Sequence, residues 1–175
     1  APAAIHPAGS LGIASAAALL LLIAGMFVMK SGKQKREAEL VTELAAQADK
    51  PGTTEVAITN ATLQLLLKAA TKTESDTDLQ KIARILAVAK ATDGTDVDER
   101  TAAFVTKTPG LSPLAQEIIV RDALRERNNP VIMPSMLELI SSSDKPTLVV
   151  VGLQSIRQIA GDDEFTTFLS LIEKR

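Results

Sequence analysis

Charged side chains with the spacing of a functional site occur at three places in this 175-residue chain. Glu117, Arg121 and Arg125 are four residues apart, which places them on one side of a helix and permits ion pairs along it. Two acidic clusters, Asp93–Glu99 and Asp162–Glu164, resemble metal-binding loops in composition. The charged helix side predicts either a solvated surface or a strip that recognises a partner protein. We take Glu117, Arg121 and Arg125 as the candidate partner-binding residues.

The two acidic clusters are better explained by helix starts than by a metal site. The order of residues in a calcium loop is absent from Asp93–Glu99, and no Glu occupies the twelfth position. Asp96 can cap the N-terminus of a helix, where the helix dipole also favours Asp98 and Glu99. The same explanation covers Asp162–Glu164. The sequence therefore predicts no metal ligands.

The residue types that supply thiol and imidazole groups are nearly missing. The chain has no Cys and a single His, His6, which excludes disulfides, thiolate sites, Ser–His catalysis and multi-histidine metal sites. No glycine-rich phosphate loop and no nucleophile elbow occurs. We expect no catalytic residue, no cofactor and no small-molecule substrate, so the protein is predicted not to be an enzyme. An enzyme, or an enzyme anchor that uses Asp, Glu and Arg, is the alternative.

The charge is distributed unevenly along the chain. Residues 1–29 carry no charged side chain, and a basic cluster follows, consisting of Lys30, Lys33, Lys35 and Arg36. From Glu37 onward there are 15 Lys and Arg against 21 Asp and Glu, a net charge of −6. This balance, with only 2% aromatic residues, argues against binding of nucleic acid. The basic cluster is expected to contact anionic lipid headgroups.

An uncharged segment near the N-terminus has the length of a transmembrane helix. Leu11–Met29 contains nineteen residues without a charge or a Pro. A helix of this length measures about 28 Å, close to the roughly 30 Å of a bilayer core. Basic residues follow the segment, so residues 1–10 are expected outside and the C-terminal part in the cytoplasm of a bacterium, with one pass through the inner membrane. A secreted protein with a cleaved leader is the alternative.

The remainder of the chain is predicted to be helical. Residues 30–75 form a basic juxtamembrane segment and connecting helices, and Pro51-Gly52 ends the first of these. Further helices are expected to begin at Asn60 or a nearby Thr, at Asp76 or Asp78, and at other cap or turn signals. Those signals are Asp96, Ser112-Pro113, Pro130, Pro146 and Gly161. Leu148–Val151 is rich in β-branched residues, but the apolar period continues beyond it, which favours a helix.

The last two helix pairs repeat at an offset of 32 residues. One set of matching positions is Met133, Met136, Leu137, Leu139 and Ile140 with Phe165, Phe168, Leu169, Leu171 and Ile172. A second set is Ile118, Ile119 and Leu124 with Val150, Val151 and Ile156. We therefore expect pairs of antiparallel helices, with Phe168 and Leu169 buried between the last two helices.

The C-terminal copy has an apolar first helix, a turn at Gly161-Asp162 and a second helix of the form F-x-x-F-L-x-L-I. In these features it resembles the HEAT-repeat family of α-solenoids and their armadillo-like relatives. The resemblance covers residues 76–175 and implies an all-α fold whose extended surface binds other proteins. An irregular helical bundle is the alternative. The resulting expectation is a single-pass, membrane-anchored scaffold or accessory subunit that binds other protein subunits of a membrane complex.

Overall fold

A computed structural model of the chain describes residue 32 and residues 35–172. The chain divides into two compact units, Ala1–Glu39 and Leu40–Arg175. In the first unit, the described residues contribute the beginning of helix α1, which covers 35–48. The second unit contains the end of α1, where Leu44, Ala45 and Ala48 are buried, and all elements that follow.

Helices dominate the described part of the chain, as the sequence predicts. After α1, the elements are β1 (Val56–Ile58), α2 (Asn60–Ala70), α3 (Asp76–Val88), β2 (Ala89–Ala91), α4 (Val97–Lys107), α5, α6 (Met133–Ser142) and α7 (Pro146–Ile172). Helix α5 has an α-helical part Pro113–Ile119, a π-helical part Val120–Leu124 and a last turn Arg125–Arg127. A 3₁₀ turn, Pro130–Ile132, precedes α6. Gly161 interrupts α7, because its φ of 79° and ψ of 174° are not helical.

Side-chain caps fix the starts of four helices. Asp96 accepts a hydrogen bond from the Glu99 N–H at 2.9 Å, and Ser112 accepts one from the Ala115 N–H at 3.1 Å. Thr59 caps α2 in the same way. These starts confirm the predictions at Asn60, Asp96 and Ser112-Pro113. Helix α3 begins at Asp76, as predicted, but its cap is the side chain of Ser75, so the expectation that Asp76 or Asp78 caps this helix is wrong.

A short parallel sheet, which the sequence analysis did not predict, joins the beginning of the second unit to its middle. Val56 pairs with Ala89 and Ile58 with Ala91. The chain enters β2 directly from α3, because Ala89 already has the extended conformation at ψ 136°. Val56 and Ile58 face the core, and Ala57 between them is exposed.

Most of the contacts among helices α3–α7 join helices that are two places apart in the chain. Helix α3 packs against α5, α5 packs against α7, and α4 packs against α6. Helix α6 also lies along α7, where Gly152 allows a close approach: a Cβ at this position would lie 2.9 Å from Cγ1 of Ile140. The largest fully buried side chains of this core are Leu63, Leu66, Leu79, Ile82, Ile85, Leu86, Ile119, Leu124, Ile132, Met136, Leu148 and Ile156.

Helices α3, α5 and α7 bury the same pattern of positions in their first two turns, a pattern that α2 and α4 also show. In each, a buried residue is followed by buried residues three and four positions later: Leu79, Ile82 and Ala83; Ala115, Ile118 and Ile119; Leu148, Val151 and Gly152. The offset between α5 and α7 is 33 residues here, and it becomes 32 for the buried pairs Ala123–Ser155 and Leu124–Ile156. Because a π-helical turn contains one extra residue, the π-helical part of α5 accounts for this change.

The predicted burial of Leu169 is wrong, because its side chain is 36% exposed. The match of Ile118 with Val150 is also wrong: Val150 is 51% exposed, and burial aligns Ile118 with Val151. Leu137, which the repeat matches with Leu169, is 37% exposed. Leu137 and Leu169 each follow a residue that packs against the core, Met136 or Phe168, and one helical step turns the next side chain by about 100° toward solvent.

Candidate functional site

The predicted partner-binding residues lie on α5, the helix that contacts both α3 and α7. The Ser112 cap and Pro113 in the first turn start this helix, and Asn128 ends it in the left-handed conformation at φ 50°. Two of its charged residues form one cluster. The Arg121 and Glu117 side chains approach to 3.6 Å, and both are about one-third exposed.

Arg121 is held most tightly by the next residue in the chain. Its Nε donates to Oδ1 of Asp122 at 2.7 Å, and its Nη2 donates to Oδ2 at 2.8 Å. The hydrogen bonds to Asp122 raise the pKa of the Arg121 guanidinium above its ordinary value, and the charge of Glu117 acts in the same direction. The result is a fixed cation between two carboxylates.

Arg125, the third predicted residue, belongs to a different contact. Its Nη1 donates to Oε1 of Gln154 on α7 at 3.3 Å, and its carbonyl accepts from Nε2 of Gln158 at 3.1 Å. Arg125 therefore connects α5 to α7. The structure brings Glu117 and Arg121 together and directs Arg125 to the neighbouring helix.

A second polar site surrounds Arg127, which the sequence analysis did not select. Nη1 of Arg127 donates to the carbonyl of Ala89 at 2.7 Å and to those of Leu86 and Ala87 at 3.3 Å. These carbonyls lie at the C-terminal end of α3, where the helix dipole favours a cation. Arg127 thus closes the end of α3 from a helix that is distant in sequence.

Asp98 provides the counter-charge of Arg127. It lies in the first turn of α4, where the helix dipole favours an anion, and it is 4% exposed. Its carboxylate forms an ion pair with Nε of Arg127 and accepts from Nδ2 of Asn129 at 2.6 Å. We call Arg127, Asp98 and Asn129 the Arg127 network. It ties the end of α3, the start of α4 and the end of α5 together.

The Arg127 network borders a cleft of about 510 Å³. Ala87–Lys90 line one part of it and Arg127–Pro130 another, and Thr54, Glu55 and Asp98 complete the lining. Nζ of Lys90 lies 2.9 Å from both carboxylate oxygens of Glu55. The four charged side chains of the cleft thus form two ion pairs, Lys90 with Glu55 and Arg127 with Asp98. These pairs connect parts of the chain that are distant in sequence and so stabilise the fold.

The acidic stretch Asp93–Glu99 has separate structural roles at three of its positions. Asp93 accepts from the N–H of Asn60, the first residue of α2, at 2.6 Å. Asp96 caps α4, and Asp98 pairs with Arg127. In the second cluster, Oδ1 of Asp162 accepts from Nε of Arg157 at 2.9 Å. Within the described residues, no group of His, Cys, Asp and Glu has an arrangement that could hold a metal ion.

Comparison of the chain with protein-family models, with curated proteins and with solved structures finds no match.

Only part of the predicted membrane-contact cluster lies within the described residues. Lys35 and Arg36 are exposed at the start of α1, where Nζ of Lys35 lies 4.0 Å from Glu39. Lys30, Lys33 and the predicted span Leu11–Met29 lie outside the described residues, so that span stays a prediction. Among the helices of residues 35–172, none combines the length and the apolar character needed to cross a membrane.

Proposed function

We propose that this protein is an accessory subunit of a membrane complex. In this proposal, Leu11–Met29 anchors the chain by a single pass, and Lys30, Lys33, Lys35 and Arg36 contact anionic headgroups. The helices within 76–175 form a short HEAT-like repeat array that binds another protein subunit. The basic cluster after the anchor supports a cytoplasmic position for this array, at the inner membrane of a bacterium.

The observation that carries the proposal is the position of α5 between α3 and α7. It contacts both of them, and all three helices begin with the same spacing of buried residues, which α2 and α4 also show. Such nearest-neighbour packing is typical of repeat arrays, in which an extended surface serves as the binding site. The cleft, by contrast, has its charged groups paired internally, and this favours binding at a helix surface.

The surface that we assign to the partner includes Glu117 and Arg121. Both side chains are about one-third exposed, and they are fixed by their mutual contact and by Asp122. Groups that are already ordered lose little conformational freedom on binding, which favours a specific interface.

The test uses the full-length chain, extracted with an affinity tag from its native membrane in a mild detergent. We expect other polypeptides to co-purify with it, and we expect their yield to fall about tenfold in the double variant Glu117→Ala, Arg121→Ala, as for the loss of a modest contact of about 1.4 kcal/mol. The matched control is Arg100→Ala, Lys107→Ala, which removes two exposed side chains of α4. Absence of any co-purifying polypeptide from the parent chain would contradict the proposal.

A further inference from the structure

Asp93 and Gly94 lie in the connection between β2 and α4, and the peptide bond between them is open to a covalent rearrangement. Both residues are exposed, and a Cβ at Gly94 would meet no atom within 4 Å. The backbone N–H that follows an Asp can attack the side-chain carboxyl group, and Gly shields this N–H least because it has no side chain. The chain contains no other Asp-Gly sequence and no Asn-Gly sequence, so this reaction is most favoured at Asp93.

The rearrangement passes through a cyclic imide. The backbone nitrogen of Gly94 forms a bond to Cγ of Asp93, and the carboxyl hydroxyl leaves as water with the N–H proton. A second water molecule then opens the ring. Its addition at Cγ restores Asp93, whereas its addition at the main-chain carbonyl carbon leaves Gly94 joined to Cγ as an isoaspartyl linkage. The mass of the chain is unchanged, and the Cβ methylene of residue 93 becomes part of the backbone.

Hydrogen bonds of the folded protein oppose this reaction. Oδ2 of Asp93 accepts from the Asn60 N–H at 2.6 Å, and Oδ1 accepts from the Thr95 N–H at 3.3 Å. They hold the carboxylate at the start of α2 and lower the pKa of Asp93 below its ordinary value, with the bond from Asn60 as the largest cause. Ring closure requires the neutral carboxyl group, because only that form has a hydroxyl that can leave as water. The ionised, hydrogen-bonded carboxylate is therefore protected.

We propose that Asp93 is a site of isoaspartate formation in this protein and that its contact with the Asn60 N–H controls the rate. The contact joins residues 33 apart in sequence, beside the hydrogen bond of 2.9 Å from the Thr92 N–H to the Ile58 carbonyl. Opening of this junction frees the carboxylate for reaction. The isoaspartyl linkage carries its carboxylate on the former main-chain carbon, so it no longer has the geometry that binds the Asn60 N–H. The modification thus keeps the connection between β2 and α4 detached from α2.

The test compares two variants of the full-length chain that differ in the N–H of residue 60. Asn60→Pro removes this donor, and Pro suits the position because residue 60 is the first of α2 and Thr59 before it is extended. Asn60→Ala is the matched control, since it removes the same side chain and keeps the N–H. Both proteins are incubated at neutral pH in a mild detergent. Peptide mapping, with methylation by an isoaspartyl methyltransferase as the probe, then measures isoaspartate at residue 93.

We expect isoaspartate at residue 93 to accumulate about tenfold faster in Asn60→Pro than in Asn60→Ala, as for the loss of a hydrogen bond to a charged group. In concentrated urea the two variants should react at the same rate, because neither has the native contact there. Equal rates in the folded proteins, or faster accumulation at another Asp, would overturn the proposal. Circular dichroism establishes that both variants are folded. If Asn60→Pro does not fold, the folded parent is compared with the parent in urea, and equal rates again overturn the proposal.

Discussion

At the scale of residues, the Arg127 network shows how two helix ends are joined by one buried ion pair. Arg127 supplies a cation to the C-terminal end of α3, and Asp98 supplies an anion to the start of α4. Their side chains are 22% and 6% exposed. Removing one partner of such a pair leaves the other as an uncompensated charge with little access to water.

Arg127→Met should therefore destabilise the protein by about 3–5 kcal/mol, the usual cost of breaking a buried pair. The control is Lys90→Met, which removes the exposed pair with Glu55 and should cost no more than about 1 kcal/mol. Urea denaturation of a fragment of residues 35–175 measures both. Similar midpoints for the two variants would show that the buried pair contributes little.

Asp93 provides a test that depends on pH. Hydrogen bonds, first from the Asn60 N–H and then from Thr95, lower the pKa of Asp93 below its ordinary value of 3.8. A group whose pKa is lowered by folding stabilises the native state above its unfolded pKa and loses this contribution as the pH falls through the folded pKa.

The variant Asp93→Asn tests this contribution, because it keeps an acceptor oxygen without the charge. The parent fragment should melt at a higher temperature than this variant at pH 6, and the difference should decrease below pH 3.8. A difference that does not depend on pH would contradict this account.

At the scale of elements, the sequence predicts helix starts better than it predicts the contacts between helices. Ser112-Pro113 and Asp96 are local signals, because a cap and the N–H that it binds are three residues apart. The Asp98–Arg127 pair joins distant parts of the chain, and β1 and β2 are three residues long, too short for a periodic pattern. Within the candidate site, the Glu117–Arg121 pair can be predicted from the sequence, because residues four apart face each other along a helix. The pairing of Arg121 with Asp122 does not, because it depends on the π-helical part.

The π-helical part predicts different outcomes for two one-residue deletions in α5. Deleting Asp122 should convert this part into regular α-helix and keep the buried residues on both sides in place, because it restores one constant offset to α7. Deleting Gln116 should rotate one end of the helix by about 100° and cost more than about 3 kcal/mol, since large buried side chains lose their contacts. Urea denaturation compares the two fragments. Equal losses would contradict the assignment of one extra residue to this part.

The contact between α6 and α7 gives another prediction at this scale. Gly152→Val should destabilise the protein by about 1–3 kcal/mol, because a Cβ at this position would lie 2.9 Å from Cγ1 of Ile140. Adding Ile140→Ala should recover part of that loss, so the cost of the double variant should be smaller than the sum of the single costs. Thermal melts of the four fragments give the coupling. Strict additivity would show that the two positions do not meet.

At the scale of the whole molecule, the membrane topology is open to a direct labelling experiment. The chain has no Cys, so Arg100→Cys introduces a single, exposed thiol on α4. In intact cells this thiol should resist a membrane-impermeant reagent, and it should react after the cells are lysed. A cysteine at Ala4 should show the opposite behaviour. Labelling at position 100 with protection at position 4 would reverse the proposed orientation.

The central proposal is that the chain acts as an anchored part of a larger assembly. Its most direct test is native mass spectrometry of the full-length chain after release from its own membrane in mild detergent. We expect complexes in which the chain is bound to at least one different polypeptide. A chain recovered only as a single copy, or only as multiples of itself, would contradict the proposal.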